Sequence, residues 1–255
     1  MLAEQRAEII LRELAERRAL SVTDICQLTG ASEATIRRDL NLLDEQRKLR
    51  KVHGGAVPVE DEFRIAEPDM EIKRGLYTEE KRRIARFAAG LIRDDDVVFL
   101  DAGTTVLEMA GFLRQSRALV VTNNLECAFR LAEDGVPPYV LGGNVDPKTM
   151  STGGNQTMDF LRRYNFTKAF LGVTGITVAQ GYTTPDPEAA ALKVLAASRS
   201  GRTYVLADDS KFGKVTASSI LALGEAEIIT NSLPDGKYEE YTQIEVVSAK
   251  RDSQI

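Results

Sequence analysis

Seven short apolar runs recur between residues 97 and 247, and stretches with helical periodicity separate them. Apolar runs of this length are typical of strands that are buried on both faces of a parallel sheet. Strands that alternate with helices predict an α/β domain with a mostly parallel sheet. Such sheets bind ligands at the carboxyl ends of their strands. The runs lie at residues 97–100, 118–121, 139–141, 169–173, 203–207, 226–229 and 244–247.

The first run is followed by the sequence Asp101-Ala102-Gly103-Thr104-Thr105. Gly103 permits a tight turn and lets a ligand approach the backbone closely. A helical pattern starts at the two threonines, and the free N–H groups and dipole at a helix N-terminus attract an anion. The stretch therefore predicts a phosphate site, with an ordinary strand-to-helix turn as the alternative.

The same stretch resembles the Asp-x-Asp-Gly-Thr pattern of hydrolases that form an aspartyl phosphate. Those enzymes need one carboxylate as nucleophile and a second as acid/base. Gly103 occupies the position of the second carboxylate. This difference counts against phosphoryl transfer and favours a site that only binds its ligand.

Small or hydrogen-bonding residues also follow four of the other runs. Turns favour Gly, Asn and Asp in any case, so none of these residues is decisive alone. Together they predict a polar pocket with a phosphate countercharge and partners for hydroxyl groups. They are Thr122, Asn123, Gly142, Gly143, Thr174, Gly175 and Lys211.

The first 57 residues show a different pattern, in which short helices follow one another. Residues 4–18 are amphipathic, Ser21 can cap a second helix that ends at Gly30, and Ser32 can cap a third. Two short helices joined by a turn that contains Gly are the signature of a helix-turn-helix.

The third of these helices has a core side and an outer side. At about 100° per residue, Ile36, Leu40 and Leu43 share the core side, while small and basic residues lie on the outer side and its flanks. This is the part of a recognition helix that enters the major groove, and the following strand pattern predicts a basic wing. A dimerisation module is the alternative. The predicted DNA contacts are Ser32, Ala34, Thr35, Arg37, Arg38, Asn41, Arg50, Lys51 and His53.

Composition argues against several other functions. The chain has one histidine, so neither a His-based triad nor a multi-His metal site is expected, and no catalytic residue, metal or cofactor is predicted. The net charge of −5 does not favour nucleic-acid binding, but residues 37–52 form a small basic patch. No apolar run approaches the roughly 18 residues that span a bilayer, and no signal-peptide pattern is present. We therefore expect a cytoplasmic protein, with Cys26 and Cys127 as two buried thiols and not a disulfide.

Both halves of the chain carry motifs that resemble the DeoR family of bacterial sugar-catabolism regulators. In the first, T-x-R-R-D-L stands at 35–40 and H-G-G-A at 53–56; in the second, the matching stretches are LDAGTT, VTNN, LGG, KAFLGVTGI, GYTTPDPEAAALK and ADDSKFGK. The resemblance implies a winged helix-turn-helix domain at 1–57 and an α/β effector domain at 78–255. Residues 58–77 contain Pro and many charges without a clear period, which predicts a linker, and Thr78 can cap the helix that follows it. The resemblance also implies that the effector domain is related to ribose-5-phosphate isomerase and CoA-transferase-like folds.

The resemblance further implies a function and residue roles. The protein would be a homo-oligomeric repressor of carbohydrate genes that binds double-stranded operator DNA, with an affinity that a phosphorylated sugar changes, and without a membrane partner. A sugar-phosphate isomerase or phosphatase with an accessory helix-turn-helix domain is the alternative. The phosphate ligands would be Gly103, Thr104, Thr105 and Lys211, and the partners of sugar hydroxyls would be Asp101, Asn123 and Glu188. For Glu188, a favourable charge at a helix N-terminus is the alternative role.

Some positions depart from the usual family pattern. Arg47 stands where a Gly often ends the recognition helix, which leaves the end of that helix open. Thr174, Thr177 and Asn231 occupy positions that are often Ser or Asp. The last three departures bear on the choice of ligand.

Overall fold

The computed structural model describes residues 3–17, 20–46, 48–52, 54–58 and 75–247. The chain divides into two compact units, Met1–Asp61 and Glu62–Ile255. Most of the predicted linker at 58–77 lies outside the described residues, so its limits remain a prediction. None of the described helices is long and apolar enough to cross a membrane.

The described part of the first unit contains helices and a small antiparallel sheet with the strand order β1–β3–β2. Its elements are α1 (Ala3–Arg17), β1 (Leu20–Ser21), α2 (Val22–Thr29), α3 (Glu33–Glu45), β2 (Leu49–Val52) and β3 (Gly55–Pro58). Helices α2 and α3 form the helix-turn-helix, and the hairpin of β2 and β3 is the wing. The predicted winged helix-turn-helix fold is confirmed.

Local sequence explains where these helices begin and end. The Ser21 hydroxyl accepts the backbone N–H of Asp24 at 3.0 Å, and the Asp24 carboxylate accepts the N–H of Ser21 at 3.1 Å. This reciprocal pair is a capping box. Gly30 ends α2 in the left-handed region, with φ of 67°, where glycine has no steric cost. The α3 helix ends at Glu45.

The core side of α3 is buried as predicted, with Ile36, Leu40 and Leu43 packed into the core of the first unit. A further contact fixes α3 against α1. Arg6 donates two hydrogen bonds to the Asp39 carboxylate, at 2.7 and 3.0 Å. The Asp of the T-x-R-R-D-L motif therefore positions the helix and does not face outward.

The second unit is an α/β domain with short 3₁₀ turns at Glu108–Phe112, Asp209–Lys211, Leu223–Glu225 and Gly236–Glu240. Its helices are α4 (Thr78–Ala89), α5 (Thr104–Leu107), α6 (Leu125–Glu133), α7 (Asn155–Leu161) and α8 (Pro187–Ser198). Its strands are β4 (Val97–Leu100), β5 (Leu119–Thr122), β6 (Tyr139–Val140), β7 (Asn144–Asp146), β8 (Ser151–Gly153), β9 (Phe166–Gly172), β10 (Gly175–Thr177), β11 (Gly181–Thr184), β12 (Ser200–Leu206), β13 (Ser218–Leu221), β14 (Glu227–Thr230) and β15 (Ile244–Val246).

A seven-stranded sheet with the order β15–β14–β12–β9–β4–β5–β6 forms the centre of the second unit. Every neighbouring pair in it is parallel, and its strands are the predicted apolar runs. Val98 and Leu100 pack in the layer of α4 and α6, whereas Phe99 packs in the layer of α7 and α8. Burial on both faces explains why the inner strands are continuously apolar, whereas the edge strand β6 is exposed at both of its residues, which departs from the predicted burial. The predicted α/β class is confirmed.

The sequence pattern does not predict two smaller antiparallel sheets, β7–β8 and β10–β11–β13. The β7 strand is exposed along its whole length, and Gly and Thr make up most of β10 and β11, so none of them forms an apolar run. The expected cap at Thr78 is also wrong. Thr78 is the first helical residue of α4, and the preceding Tyr77 is the N-cap, with φ of 56°.

Candidate functional site

The predicted DNA contacts of α3 lie on its outer face. Ala34, Arg37 and Arg38 are exposed, and Thr35 is half-buried. Ser32 is the N-cap of α3, and its hydroxyl accepts the backbone N–H of Thr35 at 3.4 Å. The start of α3 therefore presents a small residue and two guanidinium groups to the outside.

The Arg37 side chain is already in a weak ion pair. Its Nη2 lies 3.4 Å from Glu33 Oε2, one turn earlier, and both side chains are exposed. Exposed pairs of this kind contribute little to stability. Arg37 can therefore leave Glu33 for a phosphate at low cost.

The wing strand β2 lies beside the second half of α3. The Lys51 ammonium donates to Asn41 Oδ1 at 2.6 Å, and the Lys51 backbone N–H donates to Asp44 Oδ1 at 3.0 Å. These bonds join the wing and the helix into one polar surface, on which side chains can reach base edges and phosphates. The side chain of Arg50 and the whole of Arg47 and His53 lie outside the described residues.

A cavity of about 740 Å³ opens at the carboxyl edge of the central sheet of the second unit. This is the position at which parallel sheets bind ligands. Segments that follow β4, β5, β9 and β12 contribute to its wall. The predicted effector residues that line it are Asp101, Gly103, Thr104, Thr105, Asn123, Thr174, Glu188 and Lys211.

The other predicted effector residues, Thr122, Gly142, Gly143 and Gly175, are not part of the cavity wall. Thr122 is fully buried. Its hydroxyl donates to the Leu100 carbonyl at 2.6 Å and accepts the N–H of Asn124 at 3.0 Å. Thr122 thus links β4 to β5 and has a structural role.

Close packing accounts for the three glycines. A Cβ on Gly142 would lie 3.2 Å from Phe160 Cε2. Gly143 has φ of 148°, and a Cβ there would lie 2.0 Å from Thr157 Oγ1. A Cβ on Gly175 would lie 2.2 Å from the Lys214 carbonyl oxygen. Gly143 and Gly175 are therefore required by their neighbours, whereas the contact at Gly142 is only tight.

The loops after β4 and β9 approach each other within the cavity wall. A Cβ on Gly103 would lie 3.0 Å from Gly172 Cα, and a Cβ on Gly172 would lie 3.0 Å from Gly103 Cα. Gly103 has φ of −81°, so space and not backbone conformation requires glycine here. This approach brings the first turn of α5 to the cavity.

A buried ion pair that the sequence did not predict lies in the same wall. Asp101 is 2% exposed and Lys193 is 6% exposed. The Asp101 carboxylate accepts the N–H of Gly172 at 2.9 Å and forms an ion pair with the Lys193 ammonium. Both contacts are made by Asp101 Oδ2, and Asp101 is part of the cavity wall, so its role as a partner of sugar hydroxyls stays a prediction. Lys193 lies on α8, and nothing in its local sequence indicates that it reaches β4.

Lys211 carries positive charge into the cavity wall. Its ammonium lies 3.8 Å from Asp208 Oδ2, and this buried oxygen accepts no hydrogen bond within the described residues. Lys81 of α4 is buried nearby. Burial lowers the pKa of Lys81, Asp208 opposes this shift, and Lys211 adds to it. Glu108 also opposes the shift, so two carboxylates accompany the two lysines here, and of these four residues only Lys211 lines the cavity.

The β7–β8 hairpin and the start of α8 supply much of the remaining wall. Asp186 caps α8 and accepts the N–H of Glu188 at 2.9 Å. Only tertiary contacts bring these segments to the sheet edge, so sequence spacing gave no signal for them. The polar residues that these segments and α7 add to the wall are Asn144, Asp146, Thr149, Ser151, Thr152, Asn155, Arg162 and Asp186.

Both units match models of known protein families. The family model of the DeoR-like helix-turn-helix domain matches residues 6–62, and that of the DeoR C terminal sensor domain matches residues 77–232. The chain is 38% identical over 248 residues to the uncharacterized HTH-type transcriptional regulator FruR of Bacillus subtilis (strain 168), which covers 97% of this chain and 98% of the relative.

Two repressors are also similar along most of their length. The HTH-type transcriptional repressor GlcR of Bacillus subtilis (strain 168) is 33% identical over 237 residues, 92% of this chain and 91% of the relative. The lactose phosphotransferase system repressor of Streptococcus mutans serotype c is 32% identical over 251 residues, 96% of this chain and 99% of the relative.

A winged helix-turn-helix unit and an α/β unit with a polar cavity define a ligand-responsive transcriptional regulator. The chain belongs to the DeoR family, since the sensor and helix-turn-helix models match most of it. The predicted family is confirmed.

Solved structures add little to this assignment. Ribose 5-phosphate isomerase A of Methanocaldococcus jannaschii is 15% identical with a TM-score of 0.40, and the match covers 53% of this chain and 54% of that chain. A TM-score of this size does not establish a shared fold. The relationship of the effector domain to this isomerase therefore stays a prediction.

Proposed function

We propose that this regulator represses carbohydrate catabolism genes and that a phosphorylated sugar in the cavity of the second unit changes its affinity for operator DNA. The observation that carries the proposal is that the Gly103–Thr105 loop and Lys211 line the same cavity. A loop that opens a helix, together with a lysine, is a combination that binds phosphate esters.

The DNA side of the proposal rests on the outer face of α3. The exposed Arg38 and Arg37 can donate bidentate hydrogen bonds to guanine or bind phosphates. Lys51 of the wing can bind a phosphate of the DNA backbone beside them. Recognition helices usually act in pairs on two half-sites, so we propose that the protein binds DNA as a homo-oligomer.

The effector side rests on the chemistry of the cavity wall. The backbone N–H groups in the first turn of α5 have no partner within the helix, and Thr104 and Thr105 add hydroxyl groups next to them. Asn123, Thr174 and Glu188 can bind sugar hydroxyls. The relatives that are named as repressors, one of them of a lactose phosphotransferase system, support a carbohydrate ligand.

We also propose that the protein has no enzymatic activity. Gly103 occupies the position where a phosphatase of the aspartyl-phosphate type has its second carboxylate. The Asp101 carboxylate is engaged by Lys193 and the Gly172 N–H, so it is poorly placed to abstract a proton as an isomerase base would.

The test uses the purified full chain. Duplexes that bind it are first selected from a random DNA library, and a labelled duplex is then titrated in the presence of phosphorylated trioses, pentoses and hexoses and of their unphosphorylated forms. We expect one or a few sugar phosphates to change DNA binding and to raise the melting temperature. If no duplex is selected, the DNA role is wrong. If the unphosphorylated forms act equally well, the phosphate site is wrong, and steady turnover of a sugar phosphate would support the isomerase or phosphatase alternative.

A further inference from the structure

One buried acceptor in the cavity wall has no hydrogen-bond partner among the described residues. Asn123 follows β5, lines the cavity and is 5% exposed. Its Nδ2 donates to the Thr152 carbonyl at 3.1 Å. Its Oδ1 is buried and accepts no hydrogen bond from any described residue. Buried polar atoms are almost always satisfied, so this oxygen indicates that a donor comes from a bound molecule.

The orientation of this amide is fixed by its neighbours. The Thr152 carbonyl can only accept, so a flipped amide would place two acceptor oxygens against each other. The backbone here is also held, because the Thr152 N–H donates to the Asn123 carbonyl at 2.8 Å, and the Thr152 hydroxyl donates to the Leu141 carbonyl at 2.7 Å. Asn123 Oδ1 is therefore a preorganised acceptor.

Asn123 and the proposed phosphate ligands lie at different points along the sheet edge. In the order β12–β9–β4–β5, Lys211 follows β12, the Gly103–Thr105 loop follows β4 and Asn123 follows β5. Three strand spacings of about 4.8 Å separate the two outer strands, roughly 14 Å in all. A ligand with its phosphate between Lys211 and the loop would thus present its other end to Asn123.

A ligand carboxylate at that end would find no buried, unpaired cation among the described residues. Lys193 is buried and paired with Asp101, whereas Arg162, which lies 2.6 Å from Asp159, is more than half exposed, so solvent screens its charge. Glu188 Oε2 lies 3.8 Å from the position of a Cβ on Gly153, next to Thr152. A ligand carboxylate at this end would therefore meet an acceptor and a second carboxylate.

From this arrangement we infer that Asn123 selects the ligand by its uncharged end: the effector must donate a hydroxyl hydrogen bond to Asn123 Oδ1, and a phosphorylated sugar acid with a carboxylate at that end is rejected. The inference rests on the proposed function and narrows the ligand class to phosphate esters with a neutral polyhydroxyl end. A site that hydrogen-bonds a ligand hydroxyl strongly rejects an analogue without that hydroxyl, because the analogue leaves the buried acceptor of the site unpaired.

The experiment is a thermodynamic cycle in which the Asn123 side chain and the ligand hydroxyl are removed separately and together. Affinities are measured by calorimetry for wild type and Asn123→Ala with the sugar phosphate that binds best, its single-deoxy analogues and the phosphorylated aldonic acid of the same length. For wild type, we expect one deoxy analogue and the acid to bind about ten- to hundred-fold more weakly than the parent. For Asn123→Ala, that deoxy analogue and the parent should bind equally.

The adjacent Asn124→Ala is the matched control. Asn124 is also buried, but its side chain caps α6 by accepting the N–H of Cys127 at 3.0 Å, so this variant should keep the discrimination. The wild-type arm does not depend on the folding of any variant. If the acid binds wild type as tightly as the parent, or if the deoxy penalty is the same in wild type and Asn123→Ala, the inference is wrong while the phosphate site stands. If no phosphorylated sugar binds wild type, both the inference and the proposed function are wrong.

Discussion

The outer face of α3 with the wing strand β2, which we call the proposed DNA-contacting surface, and the cavity of the second unit are built in opposite ways. The surface is an exposed face, and most of its residues come from one helix of 13 residues. The cavity is concave, and its wall combines segments spread between Asp101 and Lys211. A substitution on the surface should therefore act on one contact, whereas a substitution in the cavity wall can also act on folding.

The largest effect is expected from the buried ion pair of the cavity wall. Lys193→Met leaves the Asp101 carboxylate buried without its countercharge, and loss of one partner of a buried pair typically costs about 3–5 kcal/mol. We expect the free energy of unfolding of the second unit to fall by about this amount. Urea denaturation followed by far-UV circular dichroism measures it.

The double variant Lys193→Met/Asp101→Asn is the control for this prediction. It removes both charges and keeps an acceptor for the Gly172 N–H, so it should be more stable than Lys193→Met alone. Equal stability of wild type and Lys193→Met would mean that the cavity wall tolerates substitution as an exposed surface does. The contrast between the two regions would then be lost.

The next effect concerns the proposed phosphate contact. Lys211→Ala should remove a charge-assisted hydrogen bond, about 1.5–3 kcal/mol, and should shift the response to the sugar phosphate to roughly ten- to hundred-fold higher concentration. DNA binding without ligand should hardly change, because α3 is untouched. Release of labelled operator DNA against ligand concentration measures both quantities.

Lys214→Ala is the matched control, since Lys214 follows three residues later and is not part of the cavity wall. It should shift the response less than Lys211→Ala does. Coincident release curves for Lys211→Ala and wild type would mean that the backbone N–H groups hold the phosphate alone or that it binds elsewhere.

On the proposed DNA-contacting surface, Arg38→Ala should weaken operator binding by about 1–3 kcal/mol if Arg38 binds a guanine bidentately. The melting temperature should stay at the wild-type value, because Arg38 is exposed. Arg37→Ala should also weaken binding, but less, because Arg37 gives up its pair with Glu33 when it binds DNA. Gel shifts give both affinities, and unchanged values for both variants would exclude α3 as the recognition helix.

The two regions also differ in how far sequence alone predicts them. The outer and core sides of α3 follow from one helical period, so Ile36, Leu40 and Leu43 are buried and Arg38 is exposed as predicted. The parallel sheet follows from its apolar runs in the same way. In both cases the signal is local, since periodicity and continuous hydrophobicity depend on neighbouring residues.

The cavity wall shows where local signals fail. Lys193 meets Asp101 across 92 residues, and the exposed β7–β8 hairpin contains no apolar run, so neither could be predicted. Conversely, Gly143 and Gly175 resemble ligand-binding glycines but are required by contacts with Thr157 and Lys214. Sequence located the edge of the sheet at which ligands bind, but not the residues that complete the site.

The smallest effect compares the two thiols, one in each region. Burial raises the pKa of the Cys127 thiol to about 12, and alkylating reagents attack the thiolate. Cys26 of α2 is only half-buried. We expect iodoacetamide at pH 8 to modify Cys26 first and Cys127 more than about a hundred-fold more slowly, through transient opening of the fold.

Mass spectrometry of digested samples measures both rates, and Cys26→Ser isolates the slow one. A bound sugar phosphate should slow only Cys127, because it stabilises the second unit. Equal rates for the two thiols in the native protein would show that the second unit opens as readily as the surface of the first.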